Sequence, residues 1–171
     1  MNESAGFEDS VFFKLVRVVN LTARPFQQRV GRVHQLTLNE WRAMAVLGTR
    51  PGITATQLAE LTGLDKMSVS RALAGLKRHK RLHRHEDPTD QRCSRLYLSS
   101  AGKTLFAAVS VEAKAREAEL FAGVAAADLE HLNATLDRLI ASAAGPDAQA
   151  AKPPSMLRPA PVTKAASGLA R

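Results

Sequence analysis

The chain has 171 residues, 45% hydrophobic but only 5% aromatic, with one cysteine and a formal net charge of +8. This length makes one domain or slightly more, and plentiful Ala, Leu and Val with few aromatics favour helix over a β-sandwich. One thiol excludes an internal disulfide framework, the lack of a run of ~18 apolar residues argues against a membrane span, and the early acids Glu3, Glu8 and Asp9 argue against a secretion signal.

A cytoplasmic protein is therefore expected. Residues 1–8 are expected to be a disordered tail. From Asp9 to Val33, Phe12, Leu15, Val16, Val19, Phe26, Val30 and Val33 recur at helical steps and predict an amphipathic helix. Pro25 should kink it or split it near Ala23. Thr37-Leu38-Asn39-Glu40 has the form of a capping box, with Leu36 and Trp41 at the two positions of a hydrophobic staple. That helix carries Met44 and Leu47 and should stop between Gly48 and Gly52, where Pro51 forbids continuation. Thr54-Ala55-Thr56-Gln57 repeats the device, with Ile53 and Leu58 as the staple.

This second helix is short and ends at Gly63. Asp65 opens another that runs to about His79, and the pair forms a helix-turn-helix candidate. Leu82 to Glu86 and Arg95 to Leu98 read as strands around the turn-rich Asp87-Pro88-Thr89-Asp90, a two-stranded wing. Ser99 can cap a long helix with Leu105, Val109, Ala113 and Leu120. A last helix carries Leu129, Leu132, Leu136, Leu139 and Ile140. From Gly145 onward five of the eight prolines lie among Ala, Ser and Lys, which predicts a disordered basic tail over 145–171.

Charge singles out the middle of the chain. Between Lys66 and Arg95 nine Lys/Arg face three Asp/Glu, six of the eight surplus charges. Such a local surplus on a compact unit is a footprint for a polyanion, with nucleic acid ahead of an anionic membrane surface. On a helix starting at Asp65, Val69, Ala72, Leu73 and Leu76 share the face that would pack inward. Met67, Arg71, Ala74 and Arg78 lie opposite, flanked by Ser68 and Ser70. Arg71 can fork onto a guanine edge, the serines can reach bases or phosphates, and Met67 can touch a thymine methyl. Ala74 and Gly75 are small enough to let a groove approach. Thr54, Thr56 and Gln57 combine capping with a possible hold on a phosphate, and Lys66, Arg84 and Arg95 complete the basic set.

From about Asp9 to Ala143 the chain resembles the MarR family of winged-helix transcriptional regulators. The resemblance is carried by Leu36-Thr37-Leu38-Asn39-Glu40-Trp41, the Gln57-Leu58-Ala59 helix, Ser70-Arg71 with Leu73 and Leu76, and the wing signature Asp90, Arg92, Leu98 and Ser99. It implies that Arg92 enters a minor groove and that Asp90 orients it, as suits a narrow groove of strong negative potential. It also implies a small effector, often an aromatic acid or phenol, bound between the dimer helices and the DNA lobe, with His34, Trp41 and Arg42 nearby. One departure stands out: the family's Gly-Leu pair after the reading helix is Lys80-Arg81 here, so either Lys80 takes a left-handed cap or the helix extends and frays.

The expected architecture is mainly α with a small β wing. Residues 37–99 form the winged helix-turn-helix, and 9–36 with 100–143 form helical dimerisation regions whose apolar surface exceeds what the lobe can cover. A homodimer on a pseudo-palindromic operator in double-stranded DNA follows, with a ligand-released repressor as the leading function. Two rivals are a non-specific architectural DNA binder and a redox regulator acting through Cys93, whose basic surroundings favour the thiolate. His79, His83 and His85 alternate with cationic residues and are not expected to hold a metal. No catalytic residues, cofactor or enzymatic activity are expected.

Overall fold

The computed structural model describes residues 6–86 and 94–144. It is mostly helical, with one two-stranded antiparallel sheet. Residues up to Ala126 form one compact unit, and a second begins at Ala127.

The chain enters through a 3-10 turn, Phe7–Asp9, where a disordered tail was expected up to residue 8. The Phe7 ring meets Phe13 edge-on at 5.9 Å, which holds the turn on the following helix. Helix α1 (Val11–Phe26) passes through Pro25 instead of splitting near Ala23. The disturbance emerges just beyond, as a π-helical turn over Gln27–Gly31 followed by one further turn, α2 (Arg32–His34). A proline removes one amide from the hydrogen-bond ladder, and a widened turn is one way to continue it without a break. Gln35 then takes a left-handed φ of 47°, and the Leu36 amide bonds back to the Gly31 carbonyl at 3.0 Å. That is the long bond of a Schellman stop.

Helix α3 (Leu38–Thr49) opens with the expected capping box: Thr37 N–H donates to the Glu40 carboxylate at 2.7 Å, and Glu40 N–H donates to Thr37 Oγ1 at 3.2 Å. Helix α4 (Ala55–Thr62) repeats it with Thr54 and Gln57, and Gly63 ends that helix at a φ of 66°. Helix α5 (Lys66–Arg78) is capped by Asp65. Strands β1 (Leu82–Glu86) and β2 (Ser94–Leu98) pair with Leu82 opposite Leu98 and Glu86 opposite Ser94. A contact not foreseen is a bridge from Ile53 to Leu96, which ties the α3–α4 loop to the sheet. Helix α6 (Ser100–Phe121) starts on the Ser99 cap, and in the second unit helix α7 (Ala126–Ala143) has no fully buried residue.

The core forms where α3, α4, α5, the sheet and α6 meet. Leu36, Met44, Leu47, Leu58, Leu73, Leu76, Leu96 and Val109 are its most enclosed large side chains. Each such burial contributes roughly 1.5–3 kcal/mol. Glu40 is also buried, because it lies flat against Gly75 of α5: a Cβ there would sit 1.6 Å from its Oε1. Gly75 therefore faces α3 and not a groove, which corrects the expectation that it opens the reading face. Ala74 is exposed as expected.

The end of α5 resolves the Lys80-Arg81 departure. Lys80 adopts the left-handed conformation, φ 56°. Its amide bonds to the Lys77 carbonyl at 2.9 Å and that of Arg81 to the Leu76 carbonyl at 2.8 Å, a complete Schellman motif without glycine. Helix α6 is seated on this cap, with Ser99 N–H donating to the Arg81 carbonyl at 3.0 Å and Ser99 Oγ to the Lys80 carbonyl at 2.8 Å.

Candidate nucleic-acid interface

Helix α5 separates its faces as its sequence dictates. Val69, Ala72, Leu73 and Leu76 are buried, whereas Lys66, Met67, Ser70, Arg71, Ala74 and Arg78 are exposed. Met67, a thioether with 61% of its surface open to solvent, offers an apolar contact where packing asks for none. Arg71 also borders a shallow depression with Ser68, Thr37 and Asn39.

Ser68 is less free than its place in the sequence suggests. Its hydroxyl donates to Asp65 Oδ2 at 2.6 Å and its amide to Asp65 Oδ1 at 2.9 Å, so only the oxygen's accepting capacity remains for a ligand. The Ser68 hydroxyl, and after it the Ser68 amide, hold the Asp65 carboxyl below its ordinary range. The aspartate is an N-cap that stays charged beside a helix's positive end.

At the start of α4, Thr54 and Gln57 occupy one another. Thr56 is exposed in the first turn, where a helix's leading amides have no intrahelical partner, an arrangement suited to an anionic oxygen. On the wing, Arg84 is exposed on β1 opposite Leu96. Arg95 is half-buried and donates to the Gly52 carbonyl at 3.1 Å, so at least one arm of its guanidinium fastens the wing to the α3–α4 loop. Neither the Ile53 bridge nor this tie had a local sequence signal. His85 meets Tyr97 edge-on at 5.2 Å. Asp90, Arg92 and Cys93 lie outside the described residues. Among the described residues no three His, Cys, Asp or Glu side chains come together to hold a metal, and His79, His83 and His85 do not. No helix among them is long and apolar enough to cross a membrane.

Away from this face, α1, the π turn, α3 and α6 enclose a cavity of about 430 Å³. Its walls include Val19, Phe26, Val30, Trp41 and Val109, with Arg29, Arg42, Arg116, Glu112 and Glu119 at its polar edge. Trp41 lies between Phe26 and Phe106, stacked on them at 6.3 and 5.9 Å. Arg42 Nη1 donates to Asn39 at 3.3 Å and Arg116 pairs with Glu119 at 2.8 Å. Trp41 and Arg42 thus line the cavity, but His34 does not. Its Nε2 lies 3.9 Å from Glu112, which does line it. Arg29 and Arg116 were missed because nothing in the α1 or α6 sequence distinguishes an arginine facing a cavity from one facing water.

Comparison with known proteins places the same fold in a set of known regulators. Residues 34–92 match the model of the MarR family. No curated protein sequence matches this chain. A MarR-family transcriptional regulator from Silicibacter pomeroyi is 24% identical, with a TM-score of 0.72, over 83% of this chain and 95% of that one. The PcaV regulator of Streptomyces coelicolor, solved with its natural ligand, is 22% identical, TM-score 0.70, over 83% and 99%. MepR of S. aureus, solved on DNA, is 19% identical, TM-score 0.69, over 78% and 98%. These likenesses establish the fold, mainly α with a winged helix-turn-helix.

Proposed function

We propose that this chain is a DNA-binding transcriptional regulator of the MarR type, a homodimeric repressor that occupies a pseudo-palindromic operator and is released by a small aromatic or phenolic compound. The cavity carries the reading. A volume of about 430 Å³ suits a single-ring ligand, Phe26 and Trp41 supply an aromatic wall that Phe106 backs by stacking on Trp41, and Arg29, Arg42 and Arg116 supply cations for a carboxylate. PcaV, of the same fold, was solved with its natural ligand, and MepR on DNA.

In the DNA complex, Arg71 takes a guanine edge in the major groove, with Met67, Ser68 and Ser70 beside it. Thr54, Thr56 and Gln57 hold the backbone at the start of α4, and Lys66, Arg78, Arg84 and Arg95 add to the field that draws in the phosphates. Arg92, oriented by Asp90, enters the minor groove. The ligand favours a spacing of the two reading heads that the operator does not fit, so release is a shift of population.

Selection of binding sites from a random duplex pool, then competition against random DNA at several salt concentrations, tests the regulator reading. A specificity ratio near one would leave a non-specific binder. Trp41 is the chain's one tryptophan. Its fluorescence therefore reports occupancy of the cavity directly during titration with hydroxybenzoates. Quenching of Trp41 together with operator release is the expected result, and an operator complex indifferent to every acid that quenches Trp41 would remove the effector role.

A further inference from the structure

The side chain at position 81 joins the end of α2 to the end of α5. Arg81 Nη1 donates to the Gln35 carbonyl at 3.0 Å, and Nη2 donates to the His34 carbonyl. Those are the last carbonyls of α2, and a guanidinium is well matched to a helix C-terminus, where acceptors lack partners and the dipole is negative. The backbone of the same residue closes α5, its amide bonded to Leu76 and its carbonyl holding Ser99 of the α6 cap. One arginine therefore locks the end of the N-terminal helix onto the end of the reading helix.

What precedes α2 gives the lock a second meaning. The π turn, Gln27–Gly31, supplies Arg29 and Val30 to the cavity wall, and Gly31 accepts the bond from Leu36 that ends α2. A π turn has an alternative of nearly equal length, the α-helix, and the exchange rotates everything beyond it by a fraction of a turn. The carbonyls gripped by Arg81 lie three and four residues past it. His34 also stands 3.9 Å from Glu112 on the α6 wall, so the cavity is linked to the same carbonyl pair from two sides. Lys80, held at a positive φ without the help of glycine, is a strained element at the receiving end.

We propose that Arg81 is a positioning residue that couples the cavity wall to the C-terminal cap of the reading helix. The proposal rests on reading the cavity as the effector site and α5 as the DNA-reading helix. A change in the π turn shifts the His34 and Gln35 carbonyls, the guanidinium follows them, and the Lys80–Arg81 cap moves with it. A leucine at position 81 keeps the backbone cap but has nothing with which to grip α2.

The test uses the full chain and a side chain as the probe. Ala113→Phe fills the cavity from α6, and Ala23→Phe does so from α1 if the first variant does not fold. Each is combined with Arg81, Arg81→Leu or Arg81→Lys. Hydrogen exchange at the amides of Lys80 and Arg81 reports the cap without any DNA. Filling the cavity should change that exchange about tenfold with Arg81 and less than about twofold with Arg81→Leu, a difference in the ordinary range of coupling between sites. Arg81→Lys keeps the charge but loses the planar fork, so it should behave like leucine in coupling while matching Arg81 in salt dependence of DNA binding. Equal responses with and without the guanidinium, or no response with it, overturn the proposal. If the cap responds through Arg81 but affinity for the selected operator does not, the coupling stands and the effector reading fails.

Discussion

A lysine at a φ of 56° in place of a glycine is strained, and the strain is measurable. The left-handed region costs an L-residue about 1–2 kcal/mol, part of which a glycine gives back through the entropy of its unfolded chain. Lys80→Gly should therefore stabilise the protein by about 0.5–1 kcal/mol in urea titration, and a loss of stability would show that the lysine side chain supports the cap. Gly102 is the opposite case. It is buried in the first turn of α6, and a Cβ there would stand 2.2 Å from the Arg81 carbonyl oxygen, a backbone atom that cannot rotate aside. Gly102→Ala must push α6 off the cap, and about 2 kcal/mol should be lost, within the usual range for overpacking. Gly123→Ala, with nothing within 4 Å of the added methyl, is the control and should leave stability nearly unchanged. At the reading face, Arg71→Ala should reduce discrimination between the selected operator and a site altered at one guanine by about 1–3 kcal/mol. An unchanged ratio would move the reading role to another side chain.

Helix α5 shows how far local sequence carries and where it stops. Its cap, its buried stripe and its exposed stripe are all written within four residues of one another, and all three were legible. The same holds for the boxes at Thr37 and Thr54, the Ser99 cap and the two strands. The π turn was not legible, because Pro25 announces a disturbance without saying how the following turn absorbs it. Nor was the Arg81 fork, whose acceptors lie 46 and 47 residues away, or the seat of Glu40 on Gly75. The cavity was legible only in part: Trp41 and Arg42 were placed there by resemblance, His34 was misplaced, and Arg29 and Arg116 needed the fold. The cap of α5 also carries a pH dependence. Since the folded Asp65 has a lowered pKa, its contribution is complete above its unfolded value of about 3.8 and is lost as the pH falls through the folded one. Protection of the Ser68 amide, taken relative to its intrinsic exchange rate at each pH, should therefore fall at acid pH below that range, and Asp65→Asn should abolish the acid step. An identical profile in both proteins would assign acid lability to other groups.

At the scale of the whole molecule, the first unit leaves apolar side chains open that a soluble monomer would seldom expose together. Phe7, Val11 and Phe12 are each more than 70% exposed, and Val16, Val18, Val19 and Leu21 follow along α1. No residue of α1 is fully buried, although its apolar residues recur with helical spacing. A face of this kind calls for a second apolar face, and the proposed homodimer supplies it by symmetry. On that proposal two reading helices meet DNA together, and their separation is a property of the dimer. Inserting five base pairs at the centre of the selected operator turns one half-site to the opposite side of the duplex while leaving every base contact available. A dimer rigid enough to regulate by spacing should then lose most of the specific affinity, falling toward that of a single half-site, and sedimentation of the free protein should give twice the chain mass. If the insertion is harmless, the two heads are independent, and a ligand that alters their spacing would have nothing to act upon.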